Sequence, residues 1–239
     1  LMKIALIGYG KMGKAIEAAG KEAGYSFPLI IDVNNGDELT KENLQKVDVA
    51  IEFTGPHSAV ENIKSCLAAG VPVVSGSTGW LDHWKEVTDF CSQVNGCLVY
   101  SSNYSIGVNL FFAANAWLAR LMKDHPGYRV SIDEIHHTEK KDAPSGTAIT
   151  IAEDILAARQ DLKGWVNTAT DAADQLPIHS SRIDPTPGTH RVLYSSSIDD
   201  IELVHTAHNR TGFARGALLA AAFTRGKQGI FSMKEVLGF

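Results

Sequence analysis

Three cysteines, Cys66, Cys91 and Cys97, are all the sequence holds, and their spacing fits neither a zinc pattern nor a disulfide framework. A reducing cytosol is the home this expects. No apolar run approaches the roughly 18 residues of a membrane span. No charged and apolar leader is read at the start, where MKIALIG already has a strand's pattern, and Leu1 ahead of Met2 reads as a remnant. Positive charge is in deficit, with 22 Lys and Arg against 27 Asp and Glu, a net charge of −5. Nothing therefore draws nucleic acid or an anionic membrane to the whole surface, and an anionic ligand must be held by local donors. What remains is an ordinary globular composition, long enough at 239 residues for two domains.

The first hundred residues alternate strand and helix. MKIALIG is a continuous apolar run, as in a strand buried on both faces of a parallel sheet. It leads into Gly8, Gly10 and Gly13 as G-x-G-x-x-G, then a helical face of Met12, Ile16 and Ala19. PLIIDV follows and ends at Asp32, 19 residues beyond Gly13. Strand, glycine turn, helix and terminal acid in that order predict a dinucleotide site, which is far more specific than the glycines alone. Gly8 permits the tight turn, Gly10 admits a pyrophosphate, Gly13 lets helix approach strand, and Asp32 accepts from ribose hydroxyls. The bland alternative is a tight turn that binds nothing. A carboxylate at Asp32 opposes a 2′-phosphate and Lys11 partly offsets it, so NADH is expected to be used well, with NADPH possible.

Three more strands are predicted in VDVAIEF, VPVVS and CLVYS, separated by helices 57–70 and 81–96 that each close on a glycine. The succession is βαβαβ, hence a parallel sheet whose ligands sit at the strands' carboxyl ends. Those ends carry FTGP with Thr54, SGSTG with Gly76, Ser77 and Thr78, and SSNYS with Ser101, Ser102, Asn103 and Tyr104. All three loops are small, polar or glycine-rich and are candidates to line a cofactor.

After an apolar helix at 107–123 the pattern changes. VSIDEIHH alternates at period two, a strand with one buried face. Neighbours on a strand point to opposite faces, so His136 and His137 cannot both bind one metal. No cysteine or second carboxylate is read at ligand spacing, and no metal is expected. Lys140 follows as a fixed charge beside the histidines. SGTAITIAEDILAAR is then a helix with Ser145 as N-cap. Gly146 leaves its first amides uncovered, and with the Ser145 and Thr147 hydroxyls they form an anion pocket, worth ~0.3–2 kcal/mol per charge from the helix dipole. A carboxylate is its simplest occupant; a Ser145 nucleophile is the weaker alternative, since no G-x-S-x-G elbow is present. Residues 160–190 read as surface loops, with Arg182 a further anion ligand, and HRVLYSSS and IELVHTAH as two strands of a mostly antiparallel sheet. A last apolar helix, from Thr211, is expected to pack back on the first domain.

The run E-x-H-H-x-x-K-x-D-x-P-S-G-T-A at 134–148 resembles the signature of the 4-hydroxy-tetrahydrodipicolinate (dihydrodipicolinate) reductase family of diaminopimelate and lysine biosynthesis. The resemblance extends over the glycine loop, SGSTG, SSNYSIGVN and the closing GIFSMKEVL. It implies an α/β chain: a Rossmann-type parallel-sheet domain built from residues 1–103 and 212–239, and a smaller α+β domain with a mixed, mostly antiparallel sheet at 104–211. It also implies a cytoplasmic homotetramer formed through those sheets, acting on a small cyclic dicarboxylate with no nucleic-acid or membrane partner. By the family's pattern, Gly8, Tyr9, Gly10, Lys11, Met12, Asp32, Gly76, Ser77, Thr78 and Ser101 to Tyr104 line the nicotinamide cofactor. His136 and Lys140 form the catalytic pair, and His137, Lys140, Gly146 and Thr147 hold the dicarboxylate. The glycine loop is one residue shorter than the common G-x-x-G-R-M-G, with Lys11 in place of its arginine. Another NAD-linked reductase on the same architecture and a non-enzymatic nucleotide sensor are the rival readings. The first would need a different catalytic residue, and the second would not need His136 and Lys140.

Overall fold

The computed structural model of the chain describes residues 1–209 and 211–239. Arg210, near the expected domain junction, lies outside them. In chain order the elements are β1 (Lys3–Ile7), α1 (Lys11–Glu22), β2 (Ser26–Ile31), α2 (Lys41–Leu44), β3 (Val49–Glu52), α3 (Ala59–Ala68), β4 (Val73–Ser75), α4 (Trp84–Gln93), β5 (Cys97–Tyr100) and α5 (Ile106–Met122). Then come β6 (Arg129–His136), α6 (Gly146–Ala158), β7 (Gly164–Val166), β8 (Gln175–Arg182), β9 (Gly188–Ser195), β10 (Asp200–Ala207), α7 (Thr211–Phe223), β11 (Gly229–Phe231) and α8 (Met233–Leu237). Contacts divide the chain into two units, Leu1–Ile106 with Thr211–Phe239, and Gly107–Arg210.

The first unit is a six-stranded sheet in the order β11-β5-β4-β3-β1-β2, parallel throughout. Its central strands are apolar on both sides, and both sides are covered. Ile7, Ala50 and Val73 meet α3 and α4, while Ile4, Leu6 and Ile51 meet α1 and α7. Each fully buried Ile or Leu here stabilises the fold by about 1.5–3 kcal/mol relative to exposure. The order reverses between β1 and β3, which is where a doubly wound sheet opens a crevice at the strands' carboxyl ends. The three-residue β11 is too short to be legible in GIF, and it extends the edge beside β5.

One helix ending differs from expectation. Helix α3 does close on Gly70 at positive φ, but after α4 the left-handed position is held by Asn95, φ 51°. Gly96 is needed for space instead, since a Cβ there would lie 2.7 Å from the Leu67 side chain.

The second unit is a five-stranded mixed sheet, β10-β9-β6-β8-β7. The longer ladders, β10 with β9 and β9 with β6, are antiparallel; β6 with β8 and β8 with β7 are parallel. Helices α5 and α6 cover one face through Phe111, Ala119, Ile151 and Ile155 over Ile132, Ile178 and Val192. The residues read as surface loops at 160–190 in fact contain β7 and β8. Leu176 and Ile178 of β8 do alternate inward, but Pro177 and the polar second half hide the pattern. No helix among the described residues is long and apolar enough to cross a membrane.

Candidate active site

In the first unit the predicted cofactor residues gather at two neighbouring stretches of cleft. One, of about 460 Å³, is lined by Gly8, Tyr9, Gly10, Asp32 and Thr54 among others. The next, of about 350 Å³, is lined by Gly10 to Gly13, Thr54 and Gly76 to Thr78. Gly8 sits at φ +95°, and a Cβ there would lie 2.0 Å from the Phe53 carbonyl oxygen, so no other residue fits. At Gly13 a Cβ would lie 2.3 Å from the Gly8 carbonyl oxygen, which is what lets α1 start so close to β1. Gly10 has open space above it, and as the N-cap of α1 it places no side chain over the helix-start amides. Those features fit a dinucleotide pyrophosphate. Asp32 is exposed at the end of β2, its carboxylate accepting from the Val33 amide at 2.9 Å.

The lining loops are tied from below by a residue the sequence reading passed over. Glu52, fully buried at the end of β3, accepts from Ser75 Oγ at 2.7 Å, Ser77 Oγ at 2.7 Å and the Thr54 amide at 2.9 Å. An acid inside the otherwise apolar run VDVAIEF was the available signal. Trp80 adds a bond from Nε1 to the Ser77 carbonyl, 2.9 Å. The SSNYS loop departs from expectation: Tyr104 is 2% exposed, and its hydroxyl donates to the carbonyls of Ser75 and Val99 rather than lining either cleft. Burial pushes that phenol well above its usual range. Ser101 and Asn103 bond within their own turn, and Ser102 is exposed.

In the second unit, β6 buries every second residue. His136 faces the core side at 8% exposure, and His137 is half-buried on the other side. The loop after it returns to α6, where Ser145 Oγ accepts from the Ala148 amide as predicted of the N-cap. That hydroxyl is 2% exposed as a residue and also meets His190 Nε2 at 3.2 Å, so it is turned inward and is not a hydroxyl offered to a ligand. The amides of Gly146 and Thr147, in the first turn, have no intrahelical partner. A Cβ on Gly146 would meet nothing, so this end of α6 is open. Lys140 Nζ pairs with Asp142 Oδ2 at 2.8 Å, and this pairing holds the Asp142 carboxyl below its usual range.

Period two also places Glu134 on the same face as His136, so the reading that no second carboxylate stands near the histidines is corrected. Glu134 is fully buried and its Oε2 touches His136 Nδ1 directly. His190 arrives from β9, and one ligand-type atom each from Glu134, His136 and His190 lies within 4.8 Å of the others. A dication there would have to share the carboxylate with Arg182, whose Nη2 is 3.0 Å from Glu134 Oε1. Burial works against the charged form of Glu134, yet the contacts from His136, Ser180 and Arg182 outweigh it and hold its pKa to about 2. Burial lowers His190 to about 3, so it stays neutral beside His136.

Arg182, expected as an anion ligand, is already committed. Four of its five N–H donors reach the carbonyls of Lys140, Asp142 and Ser181 and the Glu134 carboxylate. It straps the signature loop to the strand. The three cysteines are free and buried, and burial raises Cys66 to about 12 and Cys97 to about 11, which leaves no activated thiol among them.

Two family models match, described as Dihydrodipicolinate reductase, N-terminus, over residues 2–104, and Dihydrodipicolinate reductase, C-terminus, over residues 107–237. The chain belongs to the dihydrodipicolinate reductase family. It is similar at 47% identity to the 4-hydroxy-tetrahydrodipicolinate reductase of Christiangramia forsetii, over 99% of this chain and 98% of that relative. It is also 35% identical to the enzyme of that name from Methanocaldococcus jannaschii, over 98% and 81% of the two chains. A solved structure named dipicolinate-bound dihydrodipicolinate reductase, from Paenisporosarcina sp. TG-14, matches the fold with a TM-score of 0.80 at 24% identity, over 98% of each chain. Within the family frame, the residues that the sequence reading missed, Glu52, Glu134 and His190, are all buried polar groups.

Proposed function

We propose that the protein is a 4-hydroxy-tetrahydrodipicolinate reductase, which converts its cyclic dicarboxylate to tetrahydrodipicolinate with loss of water. The observation that carries the reading is the signature loop, which gathers a buried histidine, a lysine and an open helix start on one stretch of the second unit. The C4 hydroxyl and a ring proton from C3 leave as water, a bound nicotinamide cofactor would supply a hydride to C4 of the conjugated imine so formed, and one proton returns to C3. The glycine loop and the start of α1 hold the cofactor's pyrophosphate, and Asp32 holds its adenosine ribose. As negative charge builds on the ring, His136 and Lys140 provide the proton and the compensating charge, worth about 10²–10⁴-fold for a positioned acid. The amides of Gly146 and Thr147, with His137 and Lys140, grip the carboxylates. Ser145 contributes by capping α6, which keeps those amides aimed outward. A carboxylate of the substrate displaces Asp142 from Lys140, exchanging one ion pair for another. The test is nicotinamide oxidation on addition of freshly generated substrate, with no oxidation when it is omitted.

Asp32 sets the cofactor preference toward NADH, because its charge repels a 2′-phosphate and Val33, Asn34 and Asn35 offer no cation. Asp32→Ala should raise kcat/KM for NADPH relative to NADH by about fivefold or more. An unchanged ratio would remove the electrostatic account of Asp32.

The protein is further proposed to act as a cytoplasmic homotetramer. The face of the five-stranded sheet not covered by α5 and α6 carries Ile135, Leu193 and Val204 around the ion pairs of Arg191 with Asp133 and Glu202. Val204 is 51% exposed within the chain. Light scattering should give four times the chain mass of 25.8 kDa; a monomer would contradict this.

A further inference from the structure

We propose that Glu134 is a positioning residue that fixes one proton of His136 on Nδ1, leaving Nε2 as the nitrogen that takes up the transferable proton and gives it to the substrate. The proposal rests on the reductase reading for its catalytic half, and on geometry alone for its structural half.

Three observations carry it. Glu134 Oε2 touches His136 Nδ1, and neither atom has another hydrogen-bond partner among the described residues. A carboxylate can only accept here, so the ring nitrogen facing it must carry hydrogen. The carboxylate itself cannot turn away, because Oε1 is held by Arg182 Nη2 at 3.0 Å and by the Ser145 amide at 3.3 Å. On the far side of the ring, Nε2 lies beside Gly188, where a Cβ would come within 3.1 Å. A side chain there would crowd that nitrogen and the adjoining ring carbon Cδ2, 3.3 Å away. The arrangement of acid, imidazole and open nitrogen is the orienting half of the logic used by hydrolytic triads.

His190 completes it by staying out of the way. Its Nε2 is engaged with Ser145 Oγ, and its ring packs edge-on to His136 with centroids 5.0 Å apart. Burial holds it neutral, so it does not compete with His136 for the carboxylate. Arg182 does two things through one guanidinium: it anchors Glu134, and through the carbonyls of Lys140 and Asp142 it sets the loop that carries the catalytic lysine.

Glu134→Gln separates this role from simple packing. Arg182 and the Ser145 amide both demand an acceptor at the Oε1 position, so the glutamine oxygen settles there and its NH₂ faces His136. The histidine must then accept at Nδ1 and carry its proton on Nε2. The experiment is magic-angle-spinning NMR of protein labelled with ¹⁵N-histidine, with the His136 signals assigned by their loss in His136→Gln. Wild type should show the Nδ1–H tautomer above the ring's titration, and Glu134→Gln the Nε2–H tautomer.

The same variants are then assayed with the cyclic dicarboxylate. Glu134→Gln should lose at least about 10²-fold in kcat, with KM and cofactor affinity within about threefold, as expected when the ring is held in a tautomer whose Nε2 cannot take up the transferable proton and could release its own only by forming imidazolate. Glu134→Asp, which keeps the charge, should restore the Nδ1–H tautomer and most of the lost turnover. It also serves if the glutamine variant fails to fold. A wild-type ring protonated on Nε2, or a glutamine variant with unchanged tautomer and turnover, would overturn the proposal. A wild type that shows the Nδ1–H tautomer yet reduces no dicarboxylate would instead overturn the functional reading and leave the structural half standing.

Discussion

Replacing His136 by glutamine should lower kcat by about 10²–10⁴-fold, and replacing Lys140 by glutamine should do the same, while cofactor affinity stays near wild type. His136 is nearly buried, in contact with a carboxylate, and beside Gly188, where a Cβ would crowd Nε2. Glutamine there fills the space but cannot exchange a proton near neutral pH. Lys140 sits on a loop held by Arg182, with 23% of its side chain exposed and its ammonium on Asp142. Its loss removes a cation proposed to balance charge building on the ring, and should also raise KM, since the same ammonium is proposed to meet a substrate carboxylate. Neither residue lines the clefts around the glycine loop, which is why cofactor affinity is the control. Steady-state kinetics with direct cofactor titration checks both; wild-type turnover in either variant would remove it from the catalytic pair.

Glu52→Ala should be the most damaging change in the cofactor unit at a residue that does not itself line the cleft. The carboxyl group is the shared acceptor for Ser75, Ser77 and the Thr54 amide and hydroxyl, all at the ends of β3 and β4. Each buried donor left without an acceptor costs about 1–3 kcal/mol. A loss of at least ~3 kcal/mol is expected even if some hydroxyls turn to new partners. Cofactor binding should weaken as well, because Thr54 and Ser77 line the cleft and are no longer held. Glu52→Gln keeps an acceptor and should stay close to wild type. Denaturant unfolding and cofactor titration of the pair decide it; an alanine variant as stable as the glutamine one would mean the network is decorative.

Much of this was legible because it obeys short-range rules. Buried parallel strands advertise themselves as apolar runs, and a glycine turn between strand and helix has few other uses, so β1, α1, β2 and the cleft around Gly8 and Asp32 follow from order alone. The cap at Ser145 was legible for the same reason. Other features depended on partners far along the chain. Nothing local in SSRIDPTPGTH says that Arg182 will bridge to Lys140, Asp142 and Glu134, or that His190 will reach Ser145. Tyr104 lies in a loop whose small polar residues suggested a cofactor surface, yet the carbonyls of Ser75 and Val99 and the ring of Phe53 draw it inward. Glu134 is the exception, since period two alone puts it on the same face as His136.

The most direct measurement follows a labelled hydride. NADH carrying deuterium at its transferable position is incubated with freshly generated 4-hydroxy-tetrahydrodipicolinate, and the product is identified by mass spectrometry and NMR. The account predicts one deuterium at C4 of tetrahydrodipicolinate for each cofactor oxidised, with the ring hydroxyl gone. No oxidation with either NADH or NADPH, or oxidation that leaves C4 unlabelled and the hydroxyl in place, would contradict it.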